Sequence, residues 1–108
     1  MPTGPTKYTV RLTEDAAKML RKADGNARKK ISEIIDSLTD NPGEKGKPLV
    51  DDLHGLRSVR AASRFRVIYR VGHPSPWDAT VLVIGLRKRG DKSDPYAIAA
   101  RMRARGDI

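Results

Sequence analysis

The apolar spacing of this chain changes from a helical to a strand period after its second predicted helix, and that change restricts it to a fold that packs helices on a sheet. Ala27, Ile31, Ile34, Ile35 and Leu38 fall at i, i+4, i+7, i+8 and i+11. That is the one-sided stripe of an α-helix, whose period is ~3.6 residues. From Arg57 onward apolar and polar residues instead alternate with a period of two. Arg57 to Ala62, Arg64 to Val71 and Ala79 to Arg87 therefore read as strands. A helix stripe and a half-apolar sheet must each be covered, so the two halves are expected to cover one another.

The remaining elements follow from local chemistry. Tyr8 to Leu12 alternates and is rich in β-formers, which predicts a short first strand. Thr13 stands as an N-cap before Glu14 and Asp15, which suit a helix's positive first turn. Asp24-Gly25 is read as the end of that helix, and a second helix starts near Asn26 and stops at Asn41-Pro42-Gly43. The Gly-, Pro- and charge-rich stretch from Gly43 to Gly55 reads as a loop, and Gly72 to Asp78 as the turn of a hairpin. Asp94-Pro95 resembles an N-cap and first helical position, which places a C-terminal helix over 94–108. The expected fold class is α+β: an N-terminal strand and helix hairpin packed on an antiparallel sheet of about four strands, plus the C-terminal helix. The length of 108 residues fits one domain over 1–108, with 1–6 expected to be flexible.

Charge narrows the function. Residues 1–54 carry 10 Lys/Arg against 9 Asp/Glu, and residues 55–108 carry 12 against 4, which together give the net charge of +9. The first half has seven lysines and three arginines, the second two lysines and ten arginines. A guanidinium offers a planar fork that matches phosphate oxygens in pairs, so a polyanion is the expected partner. The competing reading is a merely solvated basic surface, but such surfaces usually mix both signs. No cysteine is present, which excludes disulfides and thiolate chemistry. No apolar run approaches the ~20 residues of a membrane span, and Met1 to Thr6 lacks the apolar core of a secretory signal. A cytoplasmic location without membrane association is the expectation.

Strand alternation directs attention to particular arginines. Phe65, Val67, Tyr69 and Val71 should face the core, with Arg64, Arg66, Ile68 and Arg70 on the opposite face. Arginines crowded on one strand face repel unless an anion meets them. Ser58 shares the face of Arg60, Lys88 and Arg89 follow Arg87 in a loop, and a sheet that brings Arg60, Arg66 and Arg87 together would form a concave cationic site. Pairing of each arginine with a helix carboxylate is the alternative. His54 and His73 sit in loops, and neither has the cysteine or carboxylate neighbours of a metal site, so no metal or cofactor is expected. Imidazole titrates near neutrality, which makes His54 a proton-transfer candidate or a plain surface residue. Trp77 is read as a stacking residue or a loop anchor.

The run Leu53 to Arg60, then Arg64-Phe65-Arg66-Val67-Ile68-Tyr69, resembles the central strands of RelE/ParE-superfamily toxins of bacterial type II toxin–antitoxin modules. The close, Val81 to Arg89 followed by Tyr96, is similar too, and the Gly-Leu-x-x-x-Arg spacing with the Arg-Lys-Arg close looks nearest the HigB-like branch. The resemblance implies a RelE-like fold and metal-independent, ribosome-dependent endonucleolytic cleavage of mRNA, in which a ribose 2′-hydroxyl attacks the adjacent phosphate. It implies a cognate acidic antitoxin, the ribosome and mRNA as partners. Carried over by motif, Arg66, Arg87, Arg60 and Tyr96 are the catalytic candidates. Arg57, Arg64, Arg70, Lys88, Arg89 and Lys92 are the candidates for RNA or ribosome contacts. Phenols titrate near ~10, so base stacking is the role expected of Tyr96 over proton transfer. Ser58 departs from the pattern, because many relatives carry a basic residue there. The eight residues between Arg87 and Tyr96 are more than in compact members, which leaves simple packing open for Tyr96. Two other readings share the same fold expectation or the same charge: a ParE-like inhibitor of DNA gyrase, and a non-catalytic RNA- or ribosome-binding module.

Overall fold

The structure, a computed structural model, describes residues 7–108. The expectation of a flexible 1–6 falls outside the described residues. Strand β1 (Thr9–Leu12) leads into helix α1 (Glu14–Lys22), a sharp turn and helix α2 (Gly25–Ser37). After a single turn at Pro42–Glu44 come a two-residue strand β2 (Lys47–Pro48), a turn at Asp51–Leu53, and strands β3 (Arg57–Ala61), β4 (Phe65–Val71) and β5 (Asp78–Leu86). Helix α3 (Pro95–Ala104) completes the chain.

The caps behave as side-chain chemistry requires. Thr13 Oγ1 accepts from Ala16 N at 3.1 Å at the start of α1, satisfying a first-turn N–H. Asp24, which the sequence suggests as part of a helix stop, instead starts the next helix: its Oδ1 accepts from Ala27 N at 3.0 Å. One aspartate can end one helical run and cap another when no loop separates them. Asp94 caps α3, with Pro95 at its first position.

The α+β expectation holds, with differences in strand number and direction. The sheet has five strands in the order β1-β5-β4-β3-β2 and is mixed, since β1 runs parallel to β5 while the other pairs are antiparallel. The two residues of β2 are too few to leave a periodic signal. Strand β1 closes the free edge of β5 from Thr9↔Asp78 to Leu12↔Val81, and Arg11 Nε donates to the buried Asp78 carboxylate at 2.8 Å. The β3–β4 connection takes one residue more from each strand than expected, running over Ala62, Ser63 and Arg64. Ala62 and Ser63 adopt left-handed φ values of 44° and 68°, the geometry of a tight hairpin. Arg64 therefore belongs to the turn and does not share the strand face of Arg66.

Both faces of the sheet are covered. On one, α1 and α2 lay Ala16, Ala27, Ile31, Ile35 and Leu38 against Val67, Tyr69, Val81 and Ile84. On the other, α3 buries Ala99 and Met102 against Leu56, Ile68, Leu82 and Val83. A register shift opposite Ile68/Tyr69 leaves Leu82 as the extra residue of β5. This bulge turns two successive side chains, Leu82 and Val83, toward α3. Ile68, placed by alternation among the arginines, is the fully buried centre of this second cluster. The arginine face is thus divided by α3 into a dry end and an open end. Among the described residues no helix is long and apolar enough to cross a membrane.

Ile31 lies at the centre of the helix–sheet contact with no solvent exposure. Its replacement by alanine is expected to lower stability by about 2–5 kcal/mol in urea denaturation, whereas Glu33→Ala on the exposed face of α2 should stay within about 0.5 kcal/mol.

Candidate nucleic-acid interface

Antiparallel register sets side chains that face one another across β3 and β4 on the same side of the sheet. Arg60 is Cα-paired with Arg66, and Arg66 with Gly85 of β5. Gly85 adds no side chain, and Pro95 at the start of α3 packs over it, its ring 3.6 Å from where a Cβ would stand. Beyond the end of β5, Arg87 turns back toward the same spot. The result is a cleft of about 240 Å³ lined by Lys47, Ser58, Arg60, Arg66, Arg87, Arg89 and Tyr96. All four residues expected as catalytic from the sequence, Arg60, Arg66, Arg87 and Tyr96, meet in it, with Arg89 beside them.

Two contacts fix the Tyr96 side chain. Its hydroxyl and Ser58 Oγ lie 2.8 Å apart in a hydrogen bond, and the Arg87 guanidinium sits 4.3 Å from its ring centroid. A guanidinium over an aromatic face at that distance is held by the ring quadrupole. Tyr96 also packs at the margin of the α3 cluster. Packing and cleft lining, which the sequence sets against each other, are both true of it.

Arg87 is anchored from its other side by Asp94. One Asp94 oxygen, Oδ2, accepts from Arg87 Nη1 at 2.6 Å and from Tyr96 N at 3.1 Å, while Oδ1 accepts from Lys88 N at 2.6 Å. Burial alone would raise the pKa of this carboxyl. The hydrogen bonds from Arg87, Lys88 and Tyr96 and the arginine charge outweigh it, so Asp94 titrates below its ordinary value. Carboxylate pairing is therefore real for Arg87. For Arg60 and Arg66 no carboxylate partner exists among the described residues. Arg66 Nη1 donates instead to the Phe65 carbonyl at 3.1 Å.

The other expected contact residues lie elsewhere. Arg57 projects to the side of the sheet covered by α1 and α2, and donates to the Lys45 and Gly46 carbonyls at 2.9 and 3.5 Å. Arg64 is exposed in the β3–β4 turn. Arg70 shares the arginine face but lies near Arg103 of α3, beyond Ile68; partial burial and that like charge both lower its proton affinity. Lys88 borders a shallow apolar groove with Met19, Phe65 and Leu86, and Lys92 is exposed in the turn before α3. His54 lines a different depression, beside Leu49 and Arg57, and Trp77 packs edge-on against Tyr8 at 5.8 Å. Three residues of the cleft and its support are not evident from the sequence. Asp94 reads only as a cap, Ser58 has no visible partner, and Lys47 stands in a stretch without period. No group of three or more His, Cys, Asp or Glu suited to a metal occurs among the described residues.

The depressed Asp94 titration has a defined sign. A carboxylate stabilised in the folded state contributes stability above its unfolded pKa of ~3.9 and loses it as pH falls through the lower folded value. Asp94→Asn, which keeps a capping side chain, should flatten the fall of the melting temperature between pH 5 and pH 2 relative to the unaltered chain, as followed by circular dichroism (the range being about that of carboxylate titration). Equal slopes for both proteins would refute the assignment.

Residues 10–92 match the family of ParE toxins of type II toxin–antitoxin systems, parDE. Among solved structures, the RelBE2 toxin–antitoxin complex of Mycobacterium tuberculosis is 29% identical with a TM-score of 0.66, over 75% of this chain and 99% of the matched one. A mutant of E. coli toxin RelE in the free state shares the fold at 16% identity and a TM-score of 0.64, over 91% and 97%. The chromosomal ParDE system of P. aeruginosa does so at 18% and 0.62, over 78% and 100%. No curated protein matches. The family match covers all of the sheet but its first residue, Thr9, and reaches past Arg60, Arg66 and Arg87. This chain belongs to the ParE toxin family of type II toxin–antitoxin systems, within the RelE/ParE superfamily that its strand motifs resemble.

Proposed function

We propose that this toxin is a ribosome-dependent mRNA endonuclease that arrests translation, and that an acidic antitoxin holds it inactive. The observation carrying the reading is the Arg60–Arg66 pair. Like charges directly opposite on neighbouring strands destabilise a sheet, and here neither has a carboxylate among the described residues. Together with Lys47, Arg87 and Arg89 they place five cations around one cleft. Such an arrangement is costly until an anion enters, and an anion whose charge grows during reaction gains most from it.

In the reaction the 2′-oxygen of a ribose bonds to the adjacent phosphorus and the bond from phosphorus to the 5′-oxygen breaks. The products are a 2′,3′-cyclic phosphate and a free 5′-hydroxyl. The proton lost by the 2′-hydroxyl is balanced by one gained at the leaving oxygen, with no metal or cofactor required. Arg66 and Arg87 are assigned to the phosphoryl oxygens, with Arg60 and Arg89 on flanking phosphates. Tyr96, clamped by Ser58 and Arg87, offers its ring to a base. The second reading, inhibition of DNA gyrase, is favoured by one observation: the matching family is described as that of ParE. Complexes of toxins of this fold with their antitoxins, such as RelBE2 and ParDE, support the expectation of an antitoxin here. The net charge of +9 makes an acidic partner the complementary one.

Induction of the toxin alone should halt growth, with new 5′ ends appearing inside transcripts. Arg66→Ala or Arg87→Ala should slow cleavage by about 10²–10³-fold and relieve arrest. Intact transcripts accompanied by gyrase-linked DNA breaks would overturn the nuclease in favour of the second reading.

A further inference from the structure

Ser58 stands where many of the proteins that this chain resembles carry a basic residue, and a lysine faces it from the neighbouring strand. Strand β2 pairs antiparallel with β3, and Lys47 is the Cα partner of Ser58. Residues opposed in this way share a sheet face, with their Cβ atoms ~4.5–5.5 Å apart. Lys47 accordingly lines the cleft with Arg60, Arg66 and Arg87. It makes no ion pair among the described residues.

A two-residue edge strand would ordinarily be a poor platform for a functional side chain, yet this one is fastened from behind. The Tyr69 hydroxyl, rising from the opposite face of β4, lies 2.8 Å from the Pro42 carbonyl and 2.7 Å from the Lys45 carbonyl. Burial holds the Tyr69 phenol above its ordinary pKa against the opposing effect of Arg57, so it stays a proton donor. Arg57 Nε donates to the same Lys45 carbonyl at 2.9 Å. Gly46, between these anchors and Lys47, has φ +60°, and a Cβ there would stand 2.3 Å from the Ser58 carbonyl oxygen. The backbone on the N-terminal side of Lys47 is thus pressed against β3 by contacts that need Tyr69, Arg57 and a glycine.

We infer that Lys47 supplies the cleft's remaining phosphate contact, taking from β2 the place that Ser58 leaves on β3, and that Arg57 and Tyr69 are positioning residues for it. Ser58 is then free to hold the Tyr96 hydroxyl. The role is that of a fixed charge on the nucleic-acid backbone, and it rests on the reading of the cleft as an RNA site.

Two measurements on the intact chain test it separately from cleavage. The first is binding of a short single-stranded RNA made uncleavable by 2′-deoxy substitution, followed by fluorescence anisotropy over a range of salt. Lys47→Ala should weaken binding and reduce the slope of log affinity against log salt by about 0.7, the share of one phosphate contact on a single strand; Lys47→Arg should keep it. Arg57→Ala should weaken binding in the parent chain but have no further effect in Lys47→Ala, because a positioning residue acts only through the group it positions. Additive losses would make Arg57 an independent contact and end its positioning role. The second measurement is the transcript mapping above. If Lys47→Ala matches the parent chain in affinity and slope, or if the parent chain does not bind the oligonucleotide, the assignment of Lys47 is overturned. Lys47-dependent binding with uncut transcripts would instead overturn the nuclease and leave the Lys47 contact standing. Circular dichroism of each variant separates lost contact from lost fold.

Discussion

The buried carboxylate of Asp94 joins the last strand to the last helix, and the open end of the sheet depends on that junction. A helix begins with unsatisfied N–H groups and a partial positive charge. Here the first turn of α3 points into a cleft already carrying five cations. Asp94 accepts from the Tyr96 amide, the Lys88 amide and the Arg87 guanidinium at once, converting three mutually repelling groups into one bonded cluster. Charge-assisted bonds of this kind are short and about twice as strong as neutral ones. Because they fix where α3 starts, they also fix where it lies, and the covering of Ile68, Leu82 and Val83 follows from that.

The same sheet face therefore performs two tasks along its length. Under Ala99 and Met102 it is dry and contributes to stability through burial. A few residues along, where α3 has only its N-terminal turn, it is cationic and open. Alternation along β4 passes from Arg66 to Ile68 to Arg70 across this division. Each strand residue is suited to what the helix does above it. The bulge at Leu82 serves the dry end, since it brings one more large side chain under α3 than a regular strand would.

Much of this is legible in the amino-acid order alone. Helix α2, the three long strands, the caps at Thr13 and Asp94 and the meeting of Arg60, Arg66, Arg87 and Tyr96 follow from period, cap chemistry and motif. The remainder depends on information that a linear pattern does not hold. An edge strand such as β1 pairs with whichever edge is free, and its direction is set by where α1 and α2 return the chain. Strand β2 is recognisable only through Gly46, Arg57 and Tyr69, which lie apart in sequence. Arg57 groups with the site in the sequence because it is an arginine on the right strand, but at that position the pleat turns it toward Lys45. Ile68 among arginines is the one visible sign that the second face has a core of its own.

The topology also orders events in time. Strand β1 finds its partner only after residues as distant as Thr9 and Asp78 both exist, and Tyr96 comes later still. Contacts of such long sequence separation are slow to form, and chains emerge N-terminus first. The cleft, drawn from β2, β3, β4, the end of β5 and α3, consequently cannot form until Tyr96 has been made, and the packing of Ala99 and Met102 on the sheet needs residues later still. A truncated chain stopping before Asp94 would carry most of the arginines without the carboxylate and the helix start that align Arg87 and Tyr96.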